Sequence, residues 1–276
     1  MALDDNALKI KLQEWKNKQR RDNLKYLAIG AASLAGFLLF WQLAITTGLA
    51  NERTLPPPSV IFETFLTKFS DPNPDGNTLQ ANIFASLLVS LTGFFAALII
   101  GIPLGLCMGW WQYADRFLRP IFELIRPVPP IAWIPLVVVW MGIGLQAKAL
   151  IIFFTTFVPC VINSYTGIRL TNQTLINVSM TFGAKNFEMF YKVGLPSSLP
   201  MVFAGIRVAL GNSWSTLVAA EMLAASAGLG YMIQYGRNVA RADVVIVGML
   251  TIGLVGALLS ALLQYVEKRF LKWKIR

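Results

Sequence analysis

The sequence predicts an all-α integral membrane fold of six transmembrane helices, with the N and C termini both in the cytoplasm. Three observations predict it. Of 276 residues, 55% are hydrophobic in type and only 14% are charged, whereas a soluble domain carries about a quarter charged residues. Uncharged apolar runs recur at a length that suits a bilayer core of roughly 30 Å, which needs about 20 residues per helix. Lys and Arg are also spread unequally over the connecting segments, as in membrane proteins of fixed orientation.

Taken in chain order, residues 1–25 form a charged cytoplasmic tail. Lys9–Lys25, with Leu12, Trp15 and Leu24 among many charges, reads either as a helix near the headgroups or as a basic tail without fixed structure. No cleavable signal peptide is evident, because the first apolar run is too long for an h-region. Residues 26–266 form the six-helix transmembrane domain. Tyr26–Thr47 is its first span. Next comes an external segment, Leu55-Pro56-Pro57-Pro58-Ser59, in which Ser59 is a candidate N-cap. Ile61, Phe62, Phe65, Leu66 and Phe69 then recur at helical spacing. This short amphipathic helix serves as a connector or as a contact surface for an external partner.

Ile83–Trp110 is the second span and Pro127–Ala147 the third. Pro127, Pro129, Pro130 and Pro135 interrupt regular helix at the start of the third. Ala149–Ile168, Met201–Ala225 and Val244–Val266 complete the set, and residues 267–276 form a basic cytoplasmic tail. Of the 24 Lys and Arg residues, 18 fall on the side that holds both termini and the loops Gly109–Arg126 and Arg169–Pro200. That side is the cytoplasm. The net charge of +10 is then a topology signal and an attraction to anionic lipid, not a nucleic-acid footprint.

The chain has no histidine, which excludes His-based acid–base chemistry, Ser-His-Asp systems and histidine metal sites. Cys107 and Cys160 lie in apolar runs and support neither a metal cluster nor a disulfide framework. Gly101, Gly105 and Gly109 recur every four residues on the second span, with Ser86 and Ser90 further up. Small residues at this spacing let helices approach closely, within one subunit by preference or at a seam between two. Gly248 and Gly256 read the same way. Arg207 and Glu221 are ionisable groups inside the fifth span, 14 residues apart, so about 21 Å separates them along a helix. They cannot pair with each other. Arg207 suits snorkelling to the cytoplasmic side, and Glu221 suits a structural or gating role beside an arginine or a backbone amide.

The loop from Arg169 to Pro200 is too polar to span and longer than a mere connection requires. Asn177–Phe190 has helical composition, Gly183 interrupts it, and Leu195-Pro196 is expected to close the following turn. A helix–Gly–helix element on the cytoplasmic face is a docking surface.

This loop resembles the coupling segment of the integral-membrane permeases of bacterial ABC importers: an acidic residue and two alanines, then Gly, then Leu-Pro at fixed spacing. Gly183, Leu195 and Pro196 match, Val193 is a mild change, and Asn177-Val178-Ser179 stands where Glu-Ala-Ala is usual. Glu123-Leu124-Ile125-Arg126-Pro127-Val128-Pro129-Pro130-Ile131-Ala132-Trp133 resembles the third-span opening of taurine, alkanesulfonate and nitrate permeases. Trp214-Ser215-Thr216-Leu217-Val218-Ala219-Ala220-Glu221 resembles their fifth span, with wording nearest the taurine branch. The likeness covers about residues 55–266.

The resemblance implies a type I importer permease fold in the bacterial inner membrane and a homodimer. It also implies two ATP-binding subunits and an external substrate-binding protein. The ATPase-coupling residues would be Asn177, Ser179, Phe182, Gly183, Ala184, Phe187, Leu195 and Pro196. Arg126, Trp133, Trp214 and Glu221 would belong to the translocation path or its gate, although interfacial anchoring also suits Trp133, Trp140 and Trp214. The chain has no phosphate-binding Gly-x-x-x-x-Gly-Lys loop, so it binds no cofactor of its own and is not itself an enzyme. ATP and Mg would sit on the partner subunits. The implied cargo is a small anion, taurine or another sulfonate first, with nitrate, bicarbonate or a thiamine precursor as alternatives. A stand-alone secondary transporter is the rival class, poorly equipped because it lacks embedded coupling groups.

Overall fold

The computed structural model describes residues 5–49, 51–52 and 54–271. The first four residues of the N-terminal tail, Ala50, Arg53 and residues 272–276 of the C-terminal tail lie outside the described residues. Every regular element among the described residues is helical. The chain divides into two compact units, residues 1–63 and 64–276.

In the first unit, α1 runs from Asp5 to Thr46 and carries the first span. The charged tail is helical, as one of its two readings expects, and no break separates it from the span. Thr46 and Thr47 end the helix by turning their hydroxyls back to the Leu43 carbonyl, at 3.1 and 2.7 Å. The external helix α2, Pro58–Thr67, begins one residue before the expected Ser59. Proline at a first helical turn has no N–H to leave unpaired.

The second unit is built on three long helices: α3, Leu79–Trp110, α6, Leu145–Arg169, and α9, Leu195–Ala224. Helix α6 packs between the other two. Glycine makes the approach of α3 and α6 possible. A Cβ on Gly105 would stand 2.9 Å from the Ser164 Cβ, and one on Gly101 would stand 3.2 Å from the Cys160 Cβ. The small-residue stripe therefore packs within one subunit. Gly167 of α6 meets α9 in the same way, 2.8 Å from the Met201 Cβ.

Three apolar clusters follow the axis of α6. Ile134, Val137, Ile151 and Ala220 lie near its outer end, Phe94, Cys160, Ala209 and Leu210 at mid-depth, and Leu106, Ile168 and Val202 near its inner end. In lipid these contacts act through close packing, because hydrocarbon tails are as apolar as the side chains.

The third span departs from a single helix over Pro127–Ala147. Helix α4, Gln112–Ile125, lies on the inner side, and the chain then bends by 76° into a 3₁₀ turn, Pro130–Trp133, and the short α5, Ile134–Met141. The prolines disfavour α geometry in the residues before them and withhold N–H donors. Twelve residues rise roughly 20 Å, so the span is completed only together with α4. Gly142, at φ +73°, ends α5 in a conformation suited to glycine.

The last elements are α10, Leu229–Asn238, and α11, Ala242–Phe270. Helix α10 lies between the fifth and sixth predicted spans. Its signal was present: Leu229, Met232, Ile233 and Gly236 recur at i, i+3, i+4 and i+7 and are buried. Gly248 of α11 receives Ile233 of α10, and Gly256 receives the indole of Trp214, so both glycines serve packing within the subunit.

Candidate coupling surface and translocation path

On the cytoplasmic side the expected helix–Gly–helix element is present. Helix α7 covers Gln173–Thr181, and the Asn172 side chain caps it by accepting from the Thr174 N–H at 2.8 Å. Gly183, at φ +76°, reverses the chain. The Gly183 N–H donates to the Met180 carbonyl and the Ala184 N–H to the Ser179 carbonyl. Helix α8, Asn186–Met189, follows, then a π-helical stretch, Phe190–Gly194. Leu195 and Pro196 do not close a turn. They open α9, where proline fits the first turn.

This element presents apolar side chains to water. Phe182 is 86% exposed and Phe187 69%, with Val178 and Met180 half-exposed beside them. Large apolar groups clustered on a short polar element mark an interaction surface. Asn177 accepts from Gln173 at 3.2 Å and Ser179 donates to the Leu175 carbonyl at 2.8 Å, so both polar residues stabilise α7 itself.

The element is tied to the transmembrane core by aromatic rings. The Trp110 indole N–H donates to Asn186 Oδ1 at 2.9 Å. Phe190 packs on Trp110 and Trp111, with ring centroids 5.6 and 4.8 Å apart. Gly194 leaves room for the Trp110 ring, 2.7 Å from where a Cβ would stand. The C-terminal end of α3 therefore grips α8. If the chain works as the importer permease its motifs resemble, Trp110→Ala is expected to lower coupled uptake about ten-fold with near-normal membrane insertion, the rate equivalent of about 1.4 kcal/mol. Uptake at the original rate, measured in cells carrying the whole importer, would show that this grip transmits nothing.

On the outer side a buried polar network joins α3, α9 and the turn before α10. Glu221 is 1% exposed. Its carboxyl oxygens accept from the Ser86 hydroxyl at 2.8 Å and from the Gly230 N–H at 2.9 Å. Ser86 in turn accepts from the Leu229 N–H at 2.9 Å, and Asn82 accepts from the Gly228 N–H at 2.9 Å. Asn82 also donates to Asp75 at 2.8 Å. Asp75 pairs with Lys68, whose ammonium further donates to the carbonyls of Pro72, Asn73 and Asn77. Lys148, at the start of α6, is also buried. The backbone amide foreseen for Glu221 is that of Gly230, and its side chain faces the subunit interior.

Trp214 is likewise internal. It is 9% exposed, and its indole N–H donates to the Ile252 carbonyl at 3.0 Å. Its side chain is turned toward α11, where Gly256 leaves room for the ring: a Cβ there would stand 2.9 Å from the indole nitrogen. Trp140 is 62% exposed. Arg207 pairs with Glu267 at the inner end of α11, a partner 60 residues away that local spacing could not supply.

Arg126 and Trp133 do share a cavity. It has a volume of about 320 Å³ and lies against Phe154, Asn212, Ser215 and Thr216. Arg126 also borders a second cavity of about 220 Å³ with Arg119, Glu123 and Tyr165. Toward the inner end of that cavity, Arg119 and Arg169 both stack on the Tyr165 ring, 5.4 and 5.6 Å from its centroid, and both approach Asp115 at 3.7 Å. Among the described residues no cluster of metal-ligating side chains occurs.

A model of the family described as "Binding-protein-dependent transport system inner membrane component" matches residues 97–272. The taurine transport system permease protein TauC of Escherichia coli (strain K12) is 35% identical over 263 residues, which span 95% of this chain and 96% of that one. The nitrate import permease protein NrtB of Synechocystis sp. is 32% identical over 241 residues, 86% of each chain. Among solved structures, an inward-facing form of the MetNI methionine ABC transporter aligns with a TM-score of 0.58 at 22% identity, covering 72% of this chain and 96% of that one.

Proposed function

Because the chain belongs to the family of binding-protein-dependent transport system inner membrane components, we propose that it forms half of the path through which an ABC importer moves a small sulfonate, taurine first. It is a multi-pass permease of the inner membrane. Two copies enclose the path, and each docks its α7–α8 element on an ATP-binding subunit that carries ATP and Mg. An external binding protein delivers the cargo to the outer side. The observation that carries the docking role is the exposed pair Phe182 and Phe187 around Gly183. Ala184 and Leu195-Pro196 hold the two sides of that element in place. Closure of the ATP-binding subunits would displace the docked element as a rigid body, and Trp110 would pass that motion to α3. The similarity to a taurine permease along nearly the whole chain supports the cargo. Similarity to nitrate and bicarbonate permeases, at 32% and 33% identity, favours an inorganic anion as the second reading.

Gly183→Arg, isolated gently from native membranes, is expected to lose a copurifying ATP-binding subunit that the unaltered chain retains. A bulky side chain at positive φ costs roughly 1–2 kcal/mol and moves the phenylalanines, although the space around Gly183 is open. Gly183→Asn should keep the partner, since asparagine tolerates this conformation. A partner retained equally by all three forms would place docking elsewhere. Uptake of labelled taurine, alkanesulfonates and nitrate by cells carrying the whole importer separates the two cargo readings.

A further inference from the structure

We propose that the cavity between α4, the 3₁₀ turn, α6 and α9 is a transit site for a small organic anion. Its oxyanion head is held by Arg126, Asn212 and Thr216, and its short stem lies against Trp133 and Phe154. The inference rests on the importer reading above and assigns that path its binding groups.

Depth is the first argument. Arg126 borders two cavities, one reaching Phe154–Pro159 of α6 and the other Val161–Thr166. It therefore sits beside the middle of α6, about 14 Å above the inner end of that helix at 1.5 Å per residue. A guanidinium at such depth faces a cavity or a partner, not hydrocarbon. Arg126 has no ion pair or hydrogen bond through its guanidinium among the described residues. The nearby Glu123 is engaged with Arg119 at 3.5 Å.

The α9 wall carries the second argument. Asn212, Ser215 and Thr216 fall on one face at i, i+3 and i+4. Thr216 is 7% exposed and Asn212 lies open beside it, and no hydrogen bond from either side chain occurs among the described residues. Ser215 donates to the Gly211 carbonyl at 3.1 Å. Two unused donors facing one cation make a site for a negatively charged oxygen group.

Charge balance and shape then fix the ligand class. The lining holds one cation and no carboxylate, which suits a single negative charge. The opposite wall is apolar: Trp133 stacks on Phe154 with centroids 5.4 Å apart and an interplanar angle of 21°. A bare inorganic oxyanion gains nothing from that wall, whereas a short alkyl stem does. The volume of about 320 Å³ is at the small end of ligand pockets.

The test uses the assembled importer in proteoliposomes, with Ser215→Cys placed in a background where Cys107 and Cys160 are replaced by alanine. Sulfonatoethyl methanethiosulfonate should modify it about ten-fold faster than the trimethylammonioethyl reagent, each rate taken relative to a free thiol, because a cleft of one sign concentrates counter-ions. Arg126→Gln should abolish the preference and Arg126→Lys should keep it. Equal rates in the Arg126 form, or a preference for the cation, overturns the site. Uptake of labelled ethanesulfonate and nitrate is measured on the same preparation without the cysteine. An importer that moves ethanesulfonate but shows no labelling preference refutes the site and leaves the cargo standing. One that keeps the preference but moves only nitrate supports the anion site and refutes the organic ligand.

Discussion

Replacing Glu221 by alanine is expected to destabilise the outer half of the subunit by roughly 2–6 kcal/mol, because it strands two buried donors that each cost about 1–3 kcal/mol when unpaired. Those donors are the Ser86 hydroxyl and the Gly230 N–H. Glu221→Gln should be milder, since the carboxamide oxygen still accepts one of the two bonds. The measurement is the temperature at which the detergent-purified chain loses its monodisperse elution, read for all three forms. A midpoint unchanged in the alanine form would mean that the network adds no stability. Uptake should fall in the same order.

Gly105→Leu is expected to have the larger effect. A single Cβ at Gly105 already stands 2.9 Å from the Ser164 Cβ and 3.0 Å from the Val161 Cα, and backbone cannot swing aside as a flexible side chain does. Overpacking of a filled interior costs about 1–3 kcal/mol where neighbours can yield, and here they cannot. Helices α3 and α6 must separate, so little monodisperse protein should be recovered from membranes. Gly253→Leu is the control, because nothing lies within 4 Å of a Cβ there. Equal recovery of the two variants would refute the α3–α6 contact.

The sequence made the spans legible because their signal is composition summed over 20 or more residues, which neighbours cannot mask. Glycine spacing on α3 was legible for a related reason, since a repeat every four residues fixes one helix face. The helix–Gly–helix element was readable from Gly183 and its polar flanks. The pairings were not. Arg207 finds Glu267 at a distance of 60 residues, and Ser86 finds Glu221 at 135. Such partners are chosen by helix order, which no local pattern encodes. The orientation of Trp214 is hidden for the same reason: its ring lies against Gly256, on another helix. Arg126 counts toward topology as a charge of the Gly109–Arg126 inner loop. The proline break after it brings it alongside the middle of α6 instead.

The π-helical stretch Phe190–Gly194 sets the angular phase between the α7–α8 element and α9. Its closing bond runs from the Leu195 N–H back to the Phe190 carbonyl, one residue wider than an α turn. Each residue of a helix turns the chain by about 100°. Removing any one residue of the stretch would restore ordinary winding and rotate Phe182 and Phe187 by about that angle about the α9 axis. Substitution here is a matter of fit, but a change of length is a mistimed gear: the helices below stay packed while the exposed Phe182 and Phe187 turn to another side.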